Sequence, residues 1–165
     1  MKSVRIVQLD PGTLAALAVG EPPAASPVPL TAHLTGPEHR RLWHRRSAQV
    51  AADPAAAAWV TGVVWAPGIG AAVGRAGFHG RPDAAGMVEV GYAIDPAYRR
   101  QGYARAALAA LLERAAREPE VRTVRASVRP DNVASRALVE SFGFVPVGQQ
   151  WDDEDGLETV YERPA

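Results

Sequence analysis

Cysteine is missing altogether from the 165 residues, which excludes disulfides, thiolate nucleophiles and zinc ribbons. Net charge is missing too. Eighteen Lys plus Arg balance eighteen Asp plus Glu, so no global field draws in nucleic acid or anionic lipid, and any anion site must be local. Lysine itself is reduced to Lys2, and no function follows from that bias alone. No stretch approaches the roughly 18 uninterrupted apolar residues of a membrane span. The start MKSVRIVQLD also lacks an apolar core of the signal-peptide kind, so the expectation is a cytoplasmic chain with neither leader nor membrane partner.

The residues that are present fit a soluble globular protein, with 47% hydrophobic and 22% charged. Their number predicts a single domain over residues 1–165. Val4 to Leu9 reads as a short strand, and Asp10 to Thr13 as a turn with an N-cap ahead of an apolar run ending at Val19. Residues 20–30 hold several prolines and little to pack, which predicts an irregular surface connection. Thr35 is the expected cap of a helix running His39 to Ala52, with Pro37 in its first turn. Four arginines on that helix invite a nucleic-acid reading, but in a neutral chain a solvated helix face is the better account, so no nucleic-acid partner is expected.

Trp59 to Trp65 and Ala71 to Phe78 read as a hairpin turned by Pro67-Gly68. The glycines from Gly68 to Gly74 miss the dinucleotide spacing and have no helix after them. They are expected to thin a strand at a bend or against a neighbour. Met87 to Ile94 alternates, with Val88, Val90, Tyr92 and Ile94 on one face and Glu89, Gly91 and Ala93 on the other. A helix is expected over Tyr103 to Arg117, then a strand over Val121 to Val128. A second helix, capped by Asp131 or Asn132 and closed by Gly143, should bury Ala134, Ala137, Leu138 and Ser141. A hairpin of Phe144 to Trp151 and Leu157 to Glu162 ends the chain. His33, His39, His44 and His79 show no metal-ligand spacing, and no metal is expected.

Between the strand ending at Ile94 and the helix beginning at Tyr103 lies Tyr98 to Ala104, YRRQGYA. Amides at a helix start have no partners inside the helix, and Gly102 puts no Cβ in their way. With Arg99 and Arg100 beside them, they form a cradle suited to a phosphate or pyrophosphate.

The spacing Arg99-x-x-Gly102-x-Ala104 resembles the pyrophosphate loop of the GCN5-related N-acetyltransferase (GNAT) superfamily. Glu89 to Pro96 looks like the strand that precedes that loop. Asn132-x-x-Ser135-x-x-Leu138 followed by Gly143-Phe144 looks like the second cofactor segment of the branch that acetylates ribosomal-protein N-termini (RimJ/RimL-like). Three blocks in family order cover roughly residues 69 to 163, a far more specific match than any one motif. The resemblance implies an α/β GNAT fold with a mixed, mostly antiparallel sheet of about six or seven strands. Strands 4 and 5 would be a splayed parallel pair, with about four helices around the sheet.

The resemblance further implies acetyl-CoA as cosubstrate, its pyrophosphate held by Arg99, Arg100, Gln101, Gly102, Tyr103 and Ala104. Its pantetheine arm would meet the backbone at Ile94 and Asp95, with Asn132 and Ser135 on the second segment. An attacking amine must first lose a proton, since α-amines have pKa values near 8 and lysine near 10.4. Glu89 is the candidate base. Many relatives protonate the leaving thiolate with a helix tyrosine, at the position of Val139 here, whereas the ribosomal branch uses a serine that matches Ser135. Trp43 and His44 are weak candidates for contact with the acceptor, and Trp151 and Tyr161 are open to either groove or core. The expected partner is a primary amine, on a protein N-terminus or a small molecule, and the chain is expected as monomer or homodimer. The rival from another class is a non-catalytic acyl-CoA-binding sensor or scaffold, which would need the loop but neither Glu89 nor Ser135.

Overall fold

The computed structural model describes residues 1–165. Seven strands form one mixed sheet in the order β1-β2-β3-β4-β5-β7-β6, with five helices in the chain. The backbone packs as two compact units. The first holds Met1–Arg81 and Gly91–Leu111, and the second holds Pro82–Val90 and Leu112–Ala165. β4 (Met87–Ile94) and α4 (Tyr103–Arg117) begin in one unit and end in the other. No helix is long and apolar enough to cross a membrane.

The first unit starts with β1 (Arg5–Val7) and α1 (Pro11–Val19), whose N-cap is Asp10, accepting from Thr13 N–H at 2.9 Å. Thr13 is buried, and its single hydroxyl proton is shared between the Asp10 carboxylate at 2.7 Å and the Ala25 carbonyl at 2.8 Å, which anchors the irregular segment that follows. The expected cap at Thr35 is corrected. Thr31 caps a single turn, α2 (Ala32–Thr35), and a 3-10 turn over Pro37–His39 leads into α3 (Arg40–Ala52). Pro37 cannot donate an N–H to continue α2, so the chain breaks there and starts again.

α3 buries Trp43, Arg46 and Val50, at the spacing of one helix face, and Trp43 and Val50 join a core with Leu9, Leu14, Leu17, Leu34 and Val63. The strand expected from Trp59 starts later. Pro54–Ala58 is a 3-10 turn and β2 covers Gly62–Ala66, antiparallel to both β1 and β3 (Ala71–Phe78). Gly74 shows why β3 must be thin, because a Cβ there would lie 2.3 Å from the Ala93 carbonyl oxygen.

In the second unit β4 runs parallel to β5 (Thr123–Val128), with Met87 opposite Thr123 and Glu89 opposite Arg125. β7 (Gly156–Pro164) lies antiparallel to β5, and β6 (Val145–Asp152) antiparallel to β7. Val124, Ala126 and Val128 are buried, while Thr123, Arg125 and Ser127 alternate onto the other face.

α5 (Val133–Ser141) has Asn132 as its cap, accepting from Ser135 N–H at 3.1 Å. Its expected buried line is corrected: Ala134, Ala137 and Ser141 are exposed, Leu138 is half-buried, and Val139, at 0% exposure, makes the contact. Alanines bury little surface, so the larger branched side chain sets the helix rotation. Gly143, at φ +80°, closes the helix in the left-handed region as expected.

Candidate functional site

The bend after β4 is built in the first unit. The Asp95 carboxylate accepts from Ala97 N–H at 2.9 Å and so caps a 3-10 turn, Pro96–Tyr98. Asp95 N–H donates to the Val73 carbonyl at 2.9 Å, while its own carbonyl accepts from Tyr98 N–H at 2.8 Å. Both backbone groups of Asp95 thus have a partner inside the protein, and its carbonyl keeps a second lone pair. Arg99 Nε donates to the Ile94 carbonyl at 2.9 Å, tying its side chain to the strand end.

Beyond Arg99 the backbone changes hand. Arg100 has φ +60°, a conformation costly for a residue with a Cβ, and Gly102 has φ +88°. Backbone bonding reaches Arg99, whose N–H meets the Pro96 carbonyl at 3.4 Å, and resumes where Ala106 N–H meets Gly102 at 3.1 Å. From Arg100 through Ala104 the N–H groups meet no backbone acceptor. Arg100, Gln101 and Gly102 are exposed. The bend thus offers a run of amides without backbone acceptors beside two guanidinium groups, a set that fits a diphosphate.

Tyr103 is buried just behind the bend. The Lys2 ammonium lies 5.3 Å from the centroid of its ring, and Lys2 Cγ is the atom nearest to a Cβ built on Gly102, at 3.7 Å. Sequence reasoning passed over Lys2, because nothing local connects the second residue to a bend a hundred residues on.

Glu89, Asn132 and Ser135 belong to the second unit. Glu89 is half-buried on the polar face of the sheet, and Ser127 Oγ donates to its Oε1 at 2.6 Å. Gln150 Nε2 donates at 3.0 Å both to Ser127 Oγ and to Glu158 Oε2. Glu158 is only 8% exposed, and burial raises its pKa, with the charges of Asp152, Asp155 and Glu89 adding to the rise. Ser127 could be placed on the Glu89 face from strand alternation. Gln150 and Glu158 depend on the β6–β7 register and left no signal. Asn132 spends its carbonyl oxygen on the α5 cap, and Ser135 is half-buried in the first turn of α5.

Trp43 is corrected from a substrate candidate to a core residue. It is 1% exposed, and its indole donates to the Leu34 carbonyl at 2.8 Å. His44, its neighbour, is exposed. Tyr161 is also a core residue, whereas Trp151 is 74% exposed on the terminal hairpin. Arg46 is buried rather than solvated, bonding Thr61 Oγ1, Gln49 Oε1 and the His79 carbonyl.

Two histidines sit beside a carboxylate. Ligand atoms of His33, Glu38 and His39 lie within 4.8 Å of one another. They are used internally: His33 Nδ1 pairs with Glu38 at 2.9 Å, and His39 Nδ1 meets the His33 carbonyl at 3.1 Å. His39 is 6% exposed, and burial lowers its pKa to about 4, helped by the charge of Arg75. A cavity of about 540 Å³, lined by the proline-rich segment from Gly20 to Leu30 and by Thr35, lies elsewhere in this unit.

Residues 9–145 match the acetyltransferase (GNAT) domain family, and the chain belongs to that family. An N-acetyltransferase of Bacillus subtilis (strain 168), YjdG, itself uncharacterized, is 37% identical over 73 residues, which are 44% of this chain and 44% of that protein. Among solved structures, a GnaT-family acetyltransferase from Bordetella pertussis is 22% identical with a TM-score of 0.64, covering 98% of this chain and 99% of its own. The RimL ribosomal L7/L12 α-N-protein acetyltransferase in complex with coenzyme A is 18% identical with a TM-score of 0.69, covering 99% and 95%. At these identities the likeness establishes the GNAT fold.

Proposed function

We propose that this protein is an acetyl-CoA-dependent N-acetyltransferase that passes the acetyl group directly to a primary amine, with no covalent enzyme intermediate. The observation that carries this reading is the run of amides from Arg100 to Ala104 without backbone acceptors, in a bend with positive φ at Arg100 and Gly102. Those amides, with Arg99 and Arg100, hold the diphosphate of the cosubstrate. The thioester supplies the activated acyl carbon, and the remaining work falls to side chains.

Glu89 Oε takes the proton that an ammonium must lose before it can attack, directly or through water. Ser135 Oγ returns a proton to the departing thiolate. Asn132 fixes the first turn of α5 and so the place of Ser135. Direct transfer needs no nucleophilic side chain, in keeping with a chain that has no cysteine. The acceptor is either a protein N-terminal α-amine, favoured by the likeness of fold to the RimL structure, or a small-molecule amine.

Thiol release from acetyl-CoA, measured against a panel of peptides and small amines, tests the proposal. Turnover with at least one acceptor, abolished by Gly102→Glu, is the expected result. Tight coenzyme binding with no turnover on any acceptor would instead make the protein a sensor.

A further inference from the structure

The break at Pro37 folds three ligand-bearing side chains of the first unit onto one spot. His33 lies in the last turn of α2, the chain turns through Gly36, and the 3-10 turn Pro37–His39 carries Glu38 and His39 back beside it. Gly36 leaves the room, since a Cβ there would lie 2.7 Å from Glu38 Oε2. One ligand atom from each of His33, Glu38 and His39 then lies within 4.8 Å of the other two. No helix or strand period relates the three positions, so their spacing is uninformative until the chain folds. His33 Nδ1 and Glu38 Oε1 share one proton across 2.9 Å, close to the separation of neighbouring donor atoms around an ion with bonds of about 2.0–2.1 Å. A carbonyl can only accept, so the His39 Nδ1 that meets the His33 carbonyl at 3.1 Å is the protonated nitrogen, and the neutral ring keeps its lone pair on Nε2. An N–H held by a main-chain carbonyl is how metal-bound imidazoles are oriented.

We propose that His33, Glu38 and His39 form a site for a divalent transition-metal ion, zinc in the first place, which takes the position of the proton between His33 and Glu38 and clips α2 to the head of α3. Two imidazoles and one carboxylate suit zinc, with water completing the coordination, whereas magnesium and calcium take oxygen ligands. Glu38 supplies a negative charge against the ion. The Arg75 guanidinium, whose charge reaches His39, works the other way. With three protein ligands and that opposing charge, the site binds more weakly than a four-ligand structural zinc centre. The ion acts on the fold at the Pro37 break, so the inference stands apart from the reading of acetyl transfer.

Calorimetric titration of the untagged full-length protein, freed of metal with a chelator, tests this with zinc ion alone as the probe and excess magnesium present. One zinc per chain is expected, with a Kd on the order of 1–10 μM at neutral pH. His33→Ala and Glu38→Gln lie outside the hydrophobic core, and each should weaken binding at least about tenfold. Zinc should raise the Tm of the wild type and leave that of His33→Ala unmoved. Cobalt ion in place of zinc should give a visible d–d absorption that is absent in both variants. Zinc affinity of wild-type strength in His33→Ala overturns the proposal. So does binding lost only when the exposed His44 and His79 are replaced by alanine, which would assign the ion to scattered surface histidines. Absence of saturable binding below about 100 μM zinc, or its displacement by the magnesium, overturns the proposal as well.

Discussion

The Lys2 ammonium stands 5.3 Å from the centroid of the Tyr103 ring, placing the chain's one lysine against the residue that opens α4. A cation held over an aromatic face beside a diphosphate cradle adds to the anion field there. Lys2→Ala should therefore weaken coenzyme A binding by roughly fivefold at low salt, with the loss shrinking as ionic strength rises. Lys2→Arg should retain most of the affinity. Titration calorimetry at two salt concentrations reads both effects, and an unchanged Kd at low salt would remove Lys2 from the site.

Gly102 has open space around it, with nothing nearer than 3.7 Å to a Cβ built there. Its requirement for glycine is conformational, set by φ +88°. Gly102→Ala should cost about 1–2 kcal/mol locally, through left-handed strain, and weaken coenzyme binding about tenfold. Gly102→Glu adds a carboxylate where the anion sits and should abolish measurable binding. Retained affinity in both variants would refute the cradle.

Ser135→Ala should lower kcat by roughly tenfold to a hundredfold with coenzyme affinity nearly intact, as expected for a proton donor used in the transition state. Glu89→Gln should lower kcat in the same range. Equal losses in kcat and in coenzyme affinity would assign these residues to binding.

His39 gives the fold a pH dependence of known sign. Its folded pKa, about 4, lies below the ordinary 6.5, because burial disfavours the charged ring. The stabilisation from keeping this ring neutral is fully present above pH 6.5 and is lost as the pH falls from there through about 4. The loss is on the order of 2–3 kcal/mol. Urea unfolding at pH 7.5 and pH 4.5 should show a steeper fall for the wild type than for His39→Gln.

Trp43→Ala should destabilise by about 3–5 kcal/mol, as expected for truncating a buried aromatic ring. Trp151→Ala should change stability by less than about 0.5 kcal/mol. Chemical denaturation of the two variants separates core from surface, and a stable Trp43→Ala with altered acceptor KM would restore the groove reading.

Residues whose role is local were legible in the sequence. β4 and α4 fall on the expected residues, because alternation and helix periodicity are short-range signals and the glycine-bearing bend between them has its own chemistry. A cap at Asp131 or Asn132 and the left-handed Gly143 were readable for the same reason, and the structure puts the cap at Asn132. What was hidden depends on pairing distant in the chain. Arg46 is buried only because Thr61 and His79 arrive beside it, and Gln150 meets Ser127 only through the β6–β7 register. α5 was placed correctly but rotated wrongly, since its alanines give little periodic contrast.

That rotation limits how the protein could be re-engineered. Val139 is fully buried, so a tyrosine placed at this position would drive its ring into occupied volume rather than present a new acid to the thioester. A designer wanting such a variant would have to shift the whole helix by a fraction of a turn first.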